Sequence, residues 1–200
     1  MKIDHFKDKS KSWDMNSKRV QNAKSIAHLI IDNIELSSKM RVMDFGAGTG
    51  LLSYFISPYI DTIIAVDNSP SMLKEFKEKA HEFESNTEIL ELDLTQTEIN
   101  QTFDGIISSM TIHHIEDTKA LFEKFYKMLN VDGFIAIADL DSENGTFHSD
   151  NRGVFHFGFK RKELKEIAKE VGFKDIRFKL ASTIKKPHQE FTVFLMLAKR

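Results

Sequence analysis

Short apolar runs separated by helix-length segments constrain this chain more than any other feature. MRVMDF (40–45), TIIAVD (62–67), TEILELD (87–93), FDGIISS (103–109) and GFIAIAD (133–139) read as near-continuous runs rather than alternating ones. Such runs make strands buried on both faces, as in a parallel sheet covered by helices on each side. The segments between them carry helical signals: Leu51–Tyr59, a stretch from Pro70 to about Phe83, and Asp117–Leu129. Pro70 stands after Asn68-Ser69, where a first-turn proline belongs. Ahead of the first run, apolar residues at Val20, Ala23, Ala27, Ile30, Ile31 and Ile34 have amphipathic spacing, which predicts a helix over Val20–Leu36.

The rhythm changes near the end. A long loop (140–159) precedes a charged helix (160–171) and two strand-like segments, FKDIRFKLAST (173–183) and EFTVFLMLAK (190–199). No crossover helix fits between these two, so they should pair antiparallel. The expected fold is α/β: a doubly wound sheet of six or seven strands, mostly parallel, with helices on both faces and a terminal hairpin. Residues 1–200 read as one domain, with an N-terminal arm and helix (1–36) and an insert at 139–159.

Composition narrows the setting. The net charge of −2 advertises no polyanionic partner, so nucleic acid is not expected. With no cysteine there is no disulfide, zinc-thiolate site or thiol nucleophile, which suits a reducing compartment. The polar start lacks the apolar core of a signal peptide, and no run approaches the ~20 apolar residues of a membrane span. A cytoplasmic protein, off the membrane and either monomer or homodimer, is the expectation. The 17 phenylalanines predict an aromatic-rich core or pocket.

Ligands of doubly wound sheets bind beyond the carboxyl ends of the strands. The first strand ends in Asp44-Phe45-Gly46-Ala47-Gly48-Thr49-Gly50, and Asp67 ends the second strand 17 residues after Gly50. Glycines let a backbone turn sharply and approach a ligand, and the next helix offers unpaired N–H groups. Asp67 is placed to accept hydrogen bonds from a ribose diol. Either a dinucleotide or S-adenosylmethionine (SAM) would suit such a loop. A dinucleotide fingerprint needs a third glycine at position 51, where this chain has Leu51. Asp44 would also repel a pyrophosphate, whereas the ammonium and sulfonium of SAM favour a nearby carboxylate.

With VMDFGAGTG, AVDNSPSML, ELDL, FDGIISSMTIHHI and LNVDGFIAIAD in order, the chain resembles the class I SAM-dependent methyltransferases along nearly its whole length. The closest flavour is the small-molecule group similar to the ubiquinone and menaquinone biosynthesis enzymes. The resemblance implies a Rossmann-like, seven-stranded sheet with an antiparallel C-terminal strand. It implies SAM as cofactor, with Asp44, Gly46, Ala47 and Gly48 around its methionine part. Asp67 would take the ribose, Asn68 and Met72 would lie beside the adenosine, and Asp93 and Leu94 would border the adenine. Ser109 would lie near the sulfonium, and Trp13 would close over it as part of a lid. Plainer readings stand beside these: Asp93 as a turn cap, Met72 as core filler, Ser109 as a strand end, and the arm as a solvated tail.

A small-molecule acceptor is expected, methylated on O, N, S or C. The 110–115 loop, the arm and the 139–159 insert should build its side. His114, His148 and His156 are the candidate catalytic groups, with His113 ranked below His114. Asp139, Asp141 and Asn144 could offer oxygen ligands to a divalent ion, yet no metal is assigned. The 155–159 alternation could equally be a short buried strand. The competing functions are a nucleotide-binding oxidoreductase on the same fold and a SAM-binding module without catalysis.

Overall fold

The computed structural model describes residues 4, 6, 7 and 9–200. Its seven strands are β1 Arg41–Phe45, β2 Thr62–Asp67, β3 Asn86–Glu91, β4 Phe103–Ser109, β5 Leu129–Leu140, β6 Lys174–Lys186 and β7 Gln189–Lys199. The helices are α1 Ser17–Ile31, α2 Leu51–Ile56, α3 Pro70–Lys79, α4 Thr118–Met128 and α5 Arg161–Val171. The sheet order is β3-β2-β1-β4-β5-β7-β6, the Rossmann-like α/β arrangement expected. The chain divides into two compact units, Met1–Ile99 and Asn100–Arg200.

In the first unit β1 pairs parallel with β2, and β2 with β3, so their carboxyl ends share one edge. Ile63, Ile64, Ala65 and Val66 are buried, as a central strand demands. The outermost strand β3 is only partly covered, which explains its more polar composition. Helix α1 begins earlier than its apolar spacing suggests. Asn16 caps it, its side chain accepting from the Lys18 and Arg19 N–H groups at 3.0 and 3.3 Å. The helix buries Ala23, Ile26, Ala27 and Ile30 and stops at Ile31, short of the expected Leu36. Helix α3 starts at Pro70 under a Ser69 cap, whose Oγ accepts from Met72 N–H at 3.3 Å.

In the second unit β4 and β5 run parallel, and β7 pairs antiparallel with both β5 and β6. Gly105 faces Phe134 across the β4–β5 pair, and a Cβ there would lie 2.3 Å from the Phe134 ring. Glycine in an otherwise apolar strand therefore makes room for an aromatic neighbour. Strand β5 begins four residues before the expected Gly133, because Leu129 already pairs with Phe103 ahead of a register shift. Helix α4 starts under an Asp117 cap and buries Leu121, Phe122, Phe125 and Met128. The fully buried Phe103, Phe122, Phe125 and Phe194 make this unit's core aromatic. The 155–159 segment is not a buried strand. Phe155 and Phe157 are exposed, and only Phe159 forms a bridge, to Asp141.

Candidate active site

The loop after β1 is tied to β2 by its backbone. The Gly46 and Ala47 N–H groups donate to the Val66 carbonyl at 2.8 and 3.2 Å. Gly46, Gly48 and Gly50 have φ of 69°, 56° and 86°, the left-handed region that side chains avoid. Two of these glycines serve different ends. A Cβ on Gly50 would meet the Phe76 ring at 2.7 Å and Phe83 at 2.9 Å, so this glycine seats the loop on the core. A Cβ on Gly48 would find only the Gly46 carbonyl, at 4.0 Å.

Asp67 faces that loop. Its Oδ2 accepts from Gly48 N–H and its Oδ1 from Ser69 N–H, each at 2.8 Å. Burial pushes its carboxyl up and nearby Asp4 adds to this, against the bonds from Ser69, Gly48 and Asn68. Asp44 is 1% exposed. Ser53 Oγ donates to it at 2.6 Å. Burial drives it up to about 7, with Ser53 opposing and the Asp67 charge adding. A buried carboxylate in this state favours a cation brought beside it.

The four candidates for the adenosine side are placed as follows. Met72 is buried against the first unit's core and Asn68 is exposed. Asp93 Oδ1 accepts from Thr95 N–H and Thr95 Oγ at 3.0 and 2.6 Å, the turn-capping arrangement. Leu94 beside it is buried.

The arm contributes more than Trp13. Trp13 is half-buried, edge-on to Phe6 at 5.8 Å, with the Arg19 guanidinium 3.7 Å above its ring. Asp4 accepts from Ser69 Oγ, Ser71 N–H and Phe6 N–H at 2.8, 3.1 and 3.0 Å. Asp14 accepts from Thr49 Oγ at 2.6 Å and from the Lys79 ammonium. Sequence reasoning missed both acids. In a charged tail only the serines and threonines that they reach would mark them.

The second unit holds Ser109 and the histidines. Ser109 ends β4, and its carbonyl accepts from Thr111 Oγ at 3.1 Å. The next residue, Met110, has φ 57°, a costly conformation for its type. A short 3-10 turn, Ile112–His114, follows. His113, ranked low from sequence, is 1% exposed, and its Nδ1–H donates to Asp139 Oδ1 at 2.7 Å. His114 Nδ1–H donates to the Gly153 carbonyl at 2.6 Å. The His148 ring centroid lies 4.9 Å from that of His113 and 5.8 Å from that of His114. His156 is differently engaged: its Nε2–H donates to the Ile115 carbonyl at 2.9 Å and its ring packs 4.9 Å from Phe159. The signal for His113 was Asp139 itself, because an acid closing a buried apolar run needs a partner inside.

Asp141 is held by Arg161 through two bonds of 2.7 Å and by Thr192 Oγ at 2.7 Å. Asp139 and Asp141 thus have protein partners. Among the described residues, no group of three or more His, Cys, Asp or Glu has the arrangement to hold a metal ion. Among those residues too, no helix is long and apolar enough to cross a membrane.

Known proteins agree with this frame. The family described as "Methyltransferase domain" matches residues 42–133. An uncharacterized methyltransferase of Schizosaccharomyces pombe is 31% identical over 144 residues, 64% of this chain and 51% of that protein. A malonyl-[acyl-carrier protein] O-methyltransferase of Acetivibrio thermocellus is 31% identical over 167 residues, 80% and 55% of the two chains. The chain thus spans about half the length of these curated relatives. A SAM-dependent methyltransferase of Aquifex aeolicus has the same fold, with a TM-score of 0.71 over 99% of both chains at 19% identity. The glycine loop, the acid after β2, the sheet order and these relatives converge: the chain belongs to the class I SAM-dependent methyltransferases.

Proposed function

We propose that this chain transfers the methyl group of SAM to a small-molecule acceptor, residues 1–200 acting as one methyltransferase domain. The observation that carries the reading is the pairing of Gly48 with Asp67 beside buried Asp44. An uncluttered glycine backbone, a carboxylate beside it and a second, buried carboxylate suit a ligand with a ribose diol and a cationic amino-acid end. When bound, SAM supplies a methyl group already activated on sulfur.

In this reading Asp44, Gly46, Ala47 and Gly48 hold the methionine part and Asp67 takes the ribose hydroxyls. Asn68, Met72, Asp93 and Leu94 flank the adenosine. Ser109 lies near the sulfonium, and Trp13 in the 1–36 arm serves as lid. Residues 139–159 and His114, His148 and His156 belong to the acceptor side. The protein's work is then to hold the acceptor in line and exclude water. A near-neutral charge and a chain without cysteine suit a small acceptor in the cytoplasm. The similar Acetivibrio protein is named for transfer to oxygen, which supports an oxygen nucleophile.

Calorimetric titration with S-adenosylhomocysteine tests the reading. Sub-millimolar binding is expected, and Asp67→Ala should weaken it roughly 30-fold through two lost hydrogen bonds of about 1 kcal/mol each. No binding by the folded protein would overturn the reading.

A further inference from the structure

The second unit carries a buried polar cluster in which two ring nitrogens have no partner. Asp139 is fully buried and accepts from His113 Nδ1–H at 2.7 Å, His113 backbone N–H at 3.2 Å and Leu140 N–H at 2.7 Å. A carboxylate can only accept, so Nδ1–H is the donor to Asp139 and Nε2 is the ring position left for a further partner. That Nε2 is buried and has no hydrogen-bond partner. Nor does the buried Nε2 of His148, whose ring lies 4.9 Å from that of His113. A structural strut between the turn and β5 would account for Asp139 and Nδ1. It leaves two buried nitrogens unanswered, each costing about 1–3 kcal/mol.

The surroundings select among ligands. Phe147 packs edge-on against His148 at 4.9 Å and against Phe191 at 5.2 Å, giving the cluster an aromatic flank. The Lys186 ammonium lies over the Phe147 and Phe191 rings at 4.3 and 5.6 Å. Burial, His113, His114 and Lys186 all hold His148 neutral, down to about 4. An ammonium acceptor would meet another cation here, and Asp139 already has three donors. A carboxylate acceptor would bring no proton for a base to remove. A hydroxyl both donates and accepts, so it can answer the His113 lone pair and the neutral His148 ring together.

We propose that the two orphaned nitrogens of His113 and His148 seat the hydroxyl of the acceptor, and that His113, aimed by Asp139, is the catalytic base of O-methylation. The proposal rests on the methyltransferase reading above. As the new C–O bond forms, the methyl–sulfur bond breaks with its electron pair going to sulfur, S-adenosylhomocysteine being the leaving group, and the hydroxyl O–H bond breaks with its electron pair staying on oxygen. The imidazole lone pair takes the proton, and the resulting imidazolium lies against the Asp139 carboxylate. The acceptor class is a phenol or alcohol on an apolar body.

Phenol is the probe. The 200-residue chain, 15N-labelled, is titrated with phenol, toluene and benzylamine, with and without S-adenosylhomocysteine, while the imidazole nitrogens are followed by NMR. Phenol is expected to move the His113 Nε2 resonance upfield saturably, while toluene and benzylamine leave it in place. In His113→Gln, phenol affinity read at the His148 ring should fall about tenfold, the loss of one hydrogen bond of ~1.4 kcal/mol. A His113 resonance unmoved by phenol, as when a tightly held water fills the gap, would refute the proposal. So would an equal response to toluene or benzylamine. Both outcomes are read from the wild-type protein, so neither depends on a variant that folds. Failure of S-adenosylhomocysteine to bind would instead remove the cofactor reading and leave the phenol response to be judged separately.

Discussion

Gly48 and Gly50 stand two residues apart, share a left-handed backbone and should fail differently when substituted. Gly50→Ala drives a methyl group into Phe76 and Phe83, at 2.7 and 2.9 Å, on top of its φ of 86°. Overpacking and backbone strain together should cost roughly 2–4 kcal/mol of stability. Gly48→Ala, with nothing nearer than 4.0 Å, bears only the strain of about 1–2 kcal/mol. Its methyl group instead occupies the space where the loop would meet its ligand. Chemical denaturation should therefore rank Gly50→Ala as the less stable variant. Calorimetry at a temperature where both are folded should rank Gly48→Ala as the weaker binder of S-adenosylhomocysteine. The reverse order would mean that ligand contact and core packing have been assigned to the wrong glycines.

At the scale of elements, the arm is held by two carboxylates, Asp4 at the start of α3 and Asp14 at Thr49 and Lys79. These contacts are partly exposed, so each should contribute little to global stability, about 0–1 kcal/mol. Their loss should instead free the arm locally. Trp13 is the sole tryptophan and reports directly. Asp14→Ala should shift its emission to the red and speed tryptic cleavage at Lys18 and Arg19, with the midpoint of unfolding nearly unchanged. An unaltered spectrum would show that Asp14 does not secure the arm. The arm also marks where sequence reasoning reached its limit. Strands β2 and β4 were legible to the residue because apolar runs between polar ends have one buried solution. The glycine turn and the place of Asp67 at the end of β2 were legible because few backbones need that combination. Asp4 and Asp14 were not, because long-range hydrogen bonds leave no periodicity, and for His113 the only signal was the acid Asp139 closing a buried apolar run. The 155–159 alternation was open to two readings for a different reason: alternating phenylalanines mimic a buried strand, whereas Phe155 and Phe157 face solvent.

Across the whole molecule, two titrations of opposite sign shape stability between about pH 4 and 7. Asp44 is raised from 3.8 to about 7 by burial, so in that window the folded state holds a proton that the unfolded chain has lost. Its contribution makes the protein less stable as pH rises, down to a plateau above 7. His148 is lowered from 6.5 to about 4, so there the unfolded chain holds the extra proton. Its contribution weakens the protein as pH falls from about 6.5 toward 4. Each slope is at most ~1.4 kcal/mol per pH unit for one proton, and the two oppose over most of the window. Single substitutions should uncover them. Relative to wild type, Asp44→Asn should gain stability as pH rises from 4 to 7 and be the more stable protein at pH 8, while binding S-adenosylhomocysteine more weakly. His148→Phe should gain on wild type toward acid and show no such gain above pH 7. Melting temperatures of the three proteins from pH 4.5 to 8 check both, read as differences so that other titrating groups cancel. If Asp44→Asn tracks wild type across the range, its carboxyl is not held up by burial. A carboxylate already ionised at pH 7 would attract the cationic end of the proposed ligand more strongly, so Asp44→Asn should then lose more affinity for S-adenosylhomocysteine and lose it equally at pH 6 and pH 8.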